Sequence, residues 1–154
     1  MKDTRKQWLG SVPWETVLGV NQTLCKAQNT THQSKIATCE AARQLWEKSI
    51  PLSMSLPDVL DICRQCHDLS PFVFNNGNTF AAIGKSLVEE WVNSLPSVEA
   101  QILRTTVAHY VAGQIRKPEL LQVLRHIETR WIAAEAPERR EPSLEKPQAA
   151  PSAS

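Results

Sequence analysis

From Ser11 to Trp131 the apolar residues recur at three- and four-residue intervals, and this spacing constrains the fold more than any other feature. It is the repeat of a helix that buries one stripe, whereas a half-buried strand alternates every second residue. The stripes are separated by start and stop signals. Ser11-Val-Pro-Trp opens the first, with Ser11 in the N-cap role and Pro13 in the first turn, followed by Trp14, Val17, Leu18, Leu24 and Cys25. After the polar run 29–34, a second helix starts near Ser34, carries Ile36, Cys39, Ala42, Trp46 and Ile50, and stops at Pro51. Ser55, with Asp58 placed as in a capping box, opens a third helix containing Val59, Leu60, Ile62, Cys63, Cys66 and His67.

The regularity fails once. Ser70-Pro-Phe-Val-Phe reads as extended or irregular, and Asn75-Asn-Gly-Asn as a turn, with Gly77 supplying a positive φ and Asn78 or Thr79 capping the next helix. That helix is predicted to carry Phe80, Ile83, Leu87 and Trp91 on one face and to end at Pro96. Ser97 caps the next, whose buried candidates are Leu103, Val107 and Val111, with Ile102 and Ile115 on a neighbouring line. Gly113 and Lys117 mark its exit. Pro118 opens a last helix whose Leu120, Leu124, Ile127 and Trp131 follow a bundle seam, read as core in preference to a dimer contact.

These signals predict an all-α fold: a compact bundle of about six helices over residues 11–135, an N-terminal extension over 1–10, and a disordered tail over 136–154. The tail contains four prolines and few large apolar residues, too few to offset the entropy of ordering. Five glycines and a single tyrosine are low counts for a sandwich or barrel, and five tryptophans provide large anchors for one shared core.

Charge and composition narrow the function classes. A formal net charge of +1 argues against broad nucleic-acid binding. No apolar run approaches the ~20 residues of a membrane span. The opening MKDTRKQWLG leads into no secretory apolar core, so a cytoplasmic location and four reduced thiols are expected.

Two constellations could carry chemistry. Cys63-Arg-Gln-Cys66-His67 matches the CxxCH pattern, and on a helix its three ligands fall at i, i+3 and i+4. It suits covalent haem c attachment or, with Cys39 or Cys25, a structural zinc ion. The alternative is that both thiols are small buried hydrophobes, with His67 at a polar edge. The second constellation is the interruption itself. Phe72, Phe74, Asn75, Asn76, Gly77, Asn78 and Thr79 combine an apolar rim with a helix N-terminus whose free N–H groups suit an anion or a partner's peptide. Gly84-Lys85-Ser86 resembles the end of a phosphate-binding loop, but the first glycine of that motif falls on Thr79.

The leading expectation is therefore a non-catalytic helical module that binds another protein or a second copy of itself. The alternatives are a zinc or haem c protein, and an enzyme using the Asn/Gly turn as an anion site. No catalytic residue is assigned.

Overall fold

The computed structural model describes residues 5–130 of the 154-residue chain. The architecture is all-α, with helices α1 (Trp14–Ala27), α2 (Ile36–Ser49), α3 (Leu56–Leu69), α4 (Asn76–Leu87), α5 (Glu89–Asn93) and α6 (Ser97–Val111). A last helix, α7, runs from 117 to the end of the described residues at 130. Isolated antiparallel bridges join Lys6 to Met54 and Ser34 to Phe72. The expected tail, and Trp131 at the end of the seam, lie outside the described residues.

α4 is the central helix, packing on α1, α3 and α6. Gly84 allows its approach to α6, because a Cβ there would stand 3.0 Å from Val107 Cγ1 and 3.2 Å from Val111 Cγ2. The Gly84-Lys85-Ser86 run is thus a helix-packing feature, with Lys85 exposed. Every tryptophan in the described residues meets the core, with Trp46 and Trp14 fully or almost fully buried. Buried indole N–H groups need acceptors. Trp46 Nε1 donates to the Val12 carbonyl and Trp8 Nε1 to the Met54 carbonyl, each at 2.8 Å.

Several boundaries differ from the sequence reading. Residues 6–12 are part of the domain, since Trp8 and Leu9 are buried and Lys6 pairs with Met54 through both backbone bonds. Pro13 and Pro96 occupy the N-cap positions assigned to Ser11 and Ser97, so those serines cap nothing. Ser55 does cap α3, accepting from the Asp58 N–H at 3.3 Å. The helix expected to run through Trp91 breaks at Val88, whose N–H turns to the Lys85 carbonyl in a tighter, three-residue bond before α5 resumes. Ile36, placed on the apolar stripe of α2, is its first residue and is exposed.

Candidate functional site

The chain turns sharply twice in the interruption between α3 and α4. α3 ends where Ser70 enters the left-handed region (φ 53°), and Pro71 follows. A second left-handed residue, Asn75 (φ 66°), directs the chain into α4. Asparagine tolerates this conformation better than other residues with a β-carbon. The positive φ therefore belongs to Asn75, not Gly77, and α4 begins at Asn76 instead of being capped by Asn78 or Thr79.

Between the two corners lies Phe72, whose side chain is fully buried. It stacks on Trp14 and Phe80, with ring centroids 6.3 Å away in both cases, and Trp46 meets Trp14 and Phe80 at 6.2 Å. Its backbone is equally committed. The Phe72 N–H donates to Asn76 Oδ1 at 2.9 Å, and Asn76 Nδ2 donates back to the Phe72 carbonyl at 2.8 Å, as a neighbouring strand would. On either side of Phe72, Lys35 N–H donates to the Pro71 carbonyl and Val73 N–H to the Gln33 carbonyl. Phe72 and Thr79 are therefore core residues, not members of a binding surface. Asn75, Asn76 and Gly77 are partly covered, leaving Val73, Phe74 and Asn78 exposed.

A buried polar network supports this corner from below, and sequence reasoning missed it. Asn21, fully buried in α1, donates through Nδ2 to the Phe74 carbonyl at 2.8 Å and to Thr79 Oγ1 at 3.0 Å. Its Oδ1 lies 2.6 Å from His32 Nδ1 and accepts from Cys25 Sγ at 3.5 Å, while Asn75 Nδ2 donates to that sulfur at 3.5 Å. Because Oδ1 only accepts, His32 must carry a proton on Nδ1. Cys, His and Asn are the residue types of a thiol-nucleophile triad, which needs the thiol bonded to the imidazole. Here both bond to one amide oxygen and Cys25 is almost wholly buried, so the cluster holds the corner. The one signal the sequence offers is an Asn within an otherwise apolar helical stripe.

The CxxCH residues do not converge. Cys63 and Cys66 are fully buried, and Cys66 Sγ donates to the Ala42 carbonyl across the α2–α3 contact at 3.7 Å. Burial pushes both thiols up, Cys66 to about 12 and Cys63 further, with the neighbouring Cys66 adding to the effect. Thiolates are what zinc requires, so this environment opposes ligation. His67 stands apart beside Gly77, with Nδ1 3.2 Å from Asp68 Oδ1. Among the described residues no three His, Cys, Asp or Glu side chains gather as a group that could hold a metal ion.

Two further features complete the surface. Asp61 of α3 accepts from Tyr110 and Lys117 while Arg64 lies 4.6 Å over the Tyr110 ring, clasping α3 to α6 and α7. Burial, and then the Asp61 bond, raise the Tyr110 phenol to about 12. On the outside of α6, Val98 and Ile102 stand one turn apart, 65% and 37% exposed, beside an open trough of about 480 Å³. Ser97, Gln101, Thr105 and Thr106 complete its uncharged lining. No helix among the described residues is long and apolar enough to cross a membrane. No protein-family model, curated protein or solved structure matches the chain.

Proposed function

We propose that the protein is a non-catalytic helical interaction module whose working surface is the outer face of α6. The observation that carries this reading is the pair Val98 and Ile102, exposed one helical turn apart along an uncharged trough. A globular helix normally buries one stripe and exposes a polar one. α6 already buries Leu103, Val107, Tyr110 and Val111, so the line Val98, Gln101, Ile102, Thr105 is a second, uncharged stripe that no described element covers. Anchors spaced by one turn suit a helix laid alongside.

The occupant this stripe fits best is α6 of a second copy. A two-fold contact places the same patch against itself, and an uncharged stripe meets its own image without repulsion. Two apolar anchors per protomer are a small area, so the association is weak and concentration-dependent. The non-catalytic part rests on the commitment of the reactive side chains: Cys25 and His32 to Asn21, and Cys63 and Cys66 to the core. All four cysteines are free thiols, in keeping with a cytoplasmic setting as part of the same reading.

Sedimentation velocity over a wide range of protein concentration tests this. The wild-type chain is expected to show a rising weight-average coefficient that Ile102→Lys abolishes while the far-UV spectrum stays unchanged. A wild-type chain that remains monomeric throughout, or an Ile102→Lys chain that associates equally well, refutes the self-association.

A further inference from the structure

Where the N-terminal segment crosses the α4–α5 break, the surface opens into a groove of about 290 Å³ between Trp8 and Trp91, with Leu87 and Val88 in its lining and Lys6 and Glu90 at its charged positions. A neighbouring hollow of about 330 Å³ shares Lys6, Trp8, Leu87 and Glu90, so the two form one elongated depression. The two indoles differ. Trp8 donates to the Met54 carbonyl, and Lys6 Nζ sits 4.1 Å over its ring. Trp91 Nε1 is the one buried side-chain polar atom among the described residues with no hydrogen-bond partner, although its ring is partly exposed. A buried donor left unpaired is costly, so Trp91 is poised to gain from any carbonyl brought beside it.

An elongated hollow edged by two indoles, one with an unpaired N–H just beneath the surface, suits the way extended proline-rich segments are recognised. Such segments form a polyproline helix whose backbone carbonyls have no internal partner. The chain has prolines of its own to offer. Pro137, Pro142, Pro147 and Pro151 are spaced along its C-terminal part, with Glu138, Arg139, Arg140 and Glu141 offering opposite charges to both Lys6 and Glu90.

Position allows the contact. The described chain ends at Arg130, whose guanidinium pairs with Glu99 at 3.3 Å, near the start of α6. Ser94, which lines the groove, precedes Glu99 by a separation that spans at most about 18 Å even if fully extended, whereas residues 131–142 reach about 40 Å. We propose that the groove between Trp8 and Trp91 receives the chain's own proline-rich segment, residues 137–151, with Trp91 Nε1 donating to a backbone carbonyl after a small rotation of its ring. The domain thereby holds its own tail, and a competing proline-rich peptide displaces it.

Indole N–H resonances of the full-length chain test the proposal, with the Trp91 signal assigned through Trp91→Phe. The comparison is with a full-length chain bearing Pro137→Ala, Pro142→Ala, Pro147→Ala and Pro151→Ala together. The Trp91 indole is expected to move and to exchange with solvent roughly tenfold faster in the variant, while the Trp14 and Trp46 signals stay fixed. A peptide of residues 136–154 added to the variant restores the wild-type position. Identical Trp91 signals in the two chains overturn the proposal. A wild-type Trp91 signal that shifts on dilution overturns the intramolecular seat in favour of a tail exchanged between copies.

Discussion

The corner between α3 and α4 and the outer face of α6 invert what their sequences suggest. The corner is the irregular part of the chain, rich in asparagine and exposed-looking aromatics, yet its Phe72 and Thr79 are buried and its amides are paired. The α6 face belongs to a regular helix, yet it exposes Val98 and Ile102 with nothing described against them. Irregular sequence here marks a place where the fold needed special backbone geometry. The unused apolar surface is found where the pattern looked ordinary.

The comparison breaks most visibly if Phe72 is expendable. Its ring joins Trp14 to Phe80 in the aromatic centre of the core, so Phe72→Ala leaves a large void. The expected loss is about 3–5 kcal/mol in a denaturant titration, and the exposed neighbour Phe74→Ala loses no more than about 0.5 kcal/mol. Equal effects at the two positions would mean that the corner is a surface after all.

Next in size is Asn21→Ala. It strands the Phe74 carbonyl, the Thr79 hydroxyl and the His32 Nδ1 proton in or near the core. Unsatisfied buried groups of this kind destabilise by about 2–3 kcal/mol in sum. Asn21→Ala should also loosen residues 70–79 specifically, seen as faster amide exchange there than in α6. A uniform increase across both regions would show that the network supports the whole bundle and not the corner.

How far the sequence led can be argued from these same residues. Helix class, the breaks at Pro51 and Ser70, and the burial of Trp46, Leu60 and Leu103 follow from periodicity, because each helix must hide one stripe. Asn21 was invisible for the opposite reason. Apart from Cys25 one turn on, its partners lie eleven to fifty-eight positions away, and no local pattern records a side chain that reaches that far. Phe72 was misread because an aromatic beside prolines and asparagines looks the same whether it faces solvent or core. Cys63 and Cys66 have ligand spacing, but i and i+3 on a helix is also the spacing of two adjacent core positions, and burial selects the second meaning. Ile102 sits one residue from Leu103. A helical wheel places it on the flank, and only the packed neighbours decide whether a flank is covered.

The inner face of α6 gives a pH-dependent contrast. Tyr110 is the chain's single tyrosine, and its phenol is held protonated up to about 12 against an ordinary value near 10. A group whose folded value is raised contributes fully below its unfolded value and loses that contribution as pH climbs through the folded one. Stability should therefore fall between pH 10 and 12 as unfolding becomes coupled to phenol ionisation. Tyr110→Phe removes that component, worth up to about 2 kcal/mol, leaving a flatter profile in thermal melts across this window. A wild-type profile already flat there would mean that the Asp61–Tyr110 clasp is open in solution.

The smallest expected effect on stability is the most informative about α6, because the outer face should tolerate what the inner face cannot. Val98 is 65% exposed, and Lys is the better helix former by a few tenths of a kcal/mol. Val98→Lys should leave the unfolding midpoint within about 0.5 kcal/mol of wild type and still weaken self-association, because a two-fold contact through α6 brings the two introduced charges together. Leu103→Lys, placing a charge on the buried stripe, should fail to fold. If Val98→Lys also costs more than about 1 kcal/mol, the second stripe is covered within the monomer and α6 is an ordinary core helix. If it costs nothing and changes no association, the exposed valine and isoleucine are merely surface residues. Only retained stability combined with lost association separates the two faces of α6 into one that builds the fold and one that uses it.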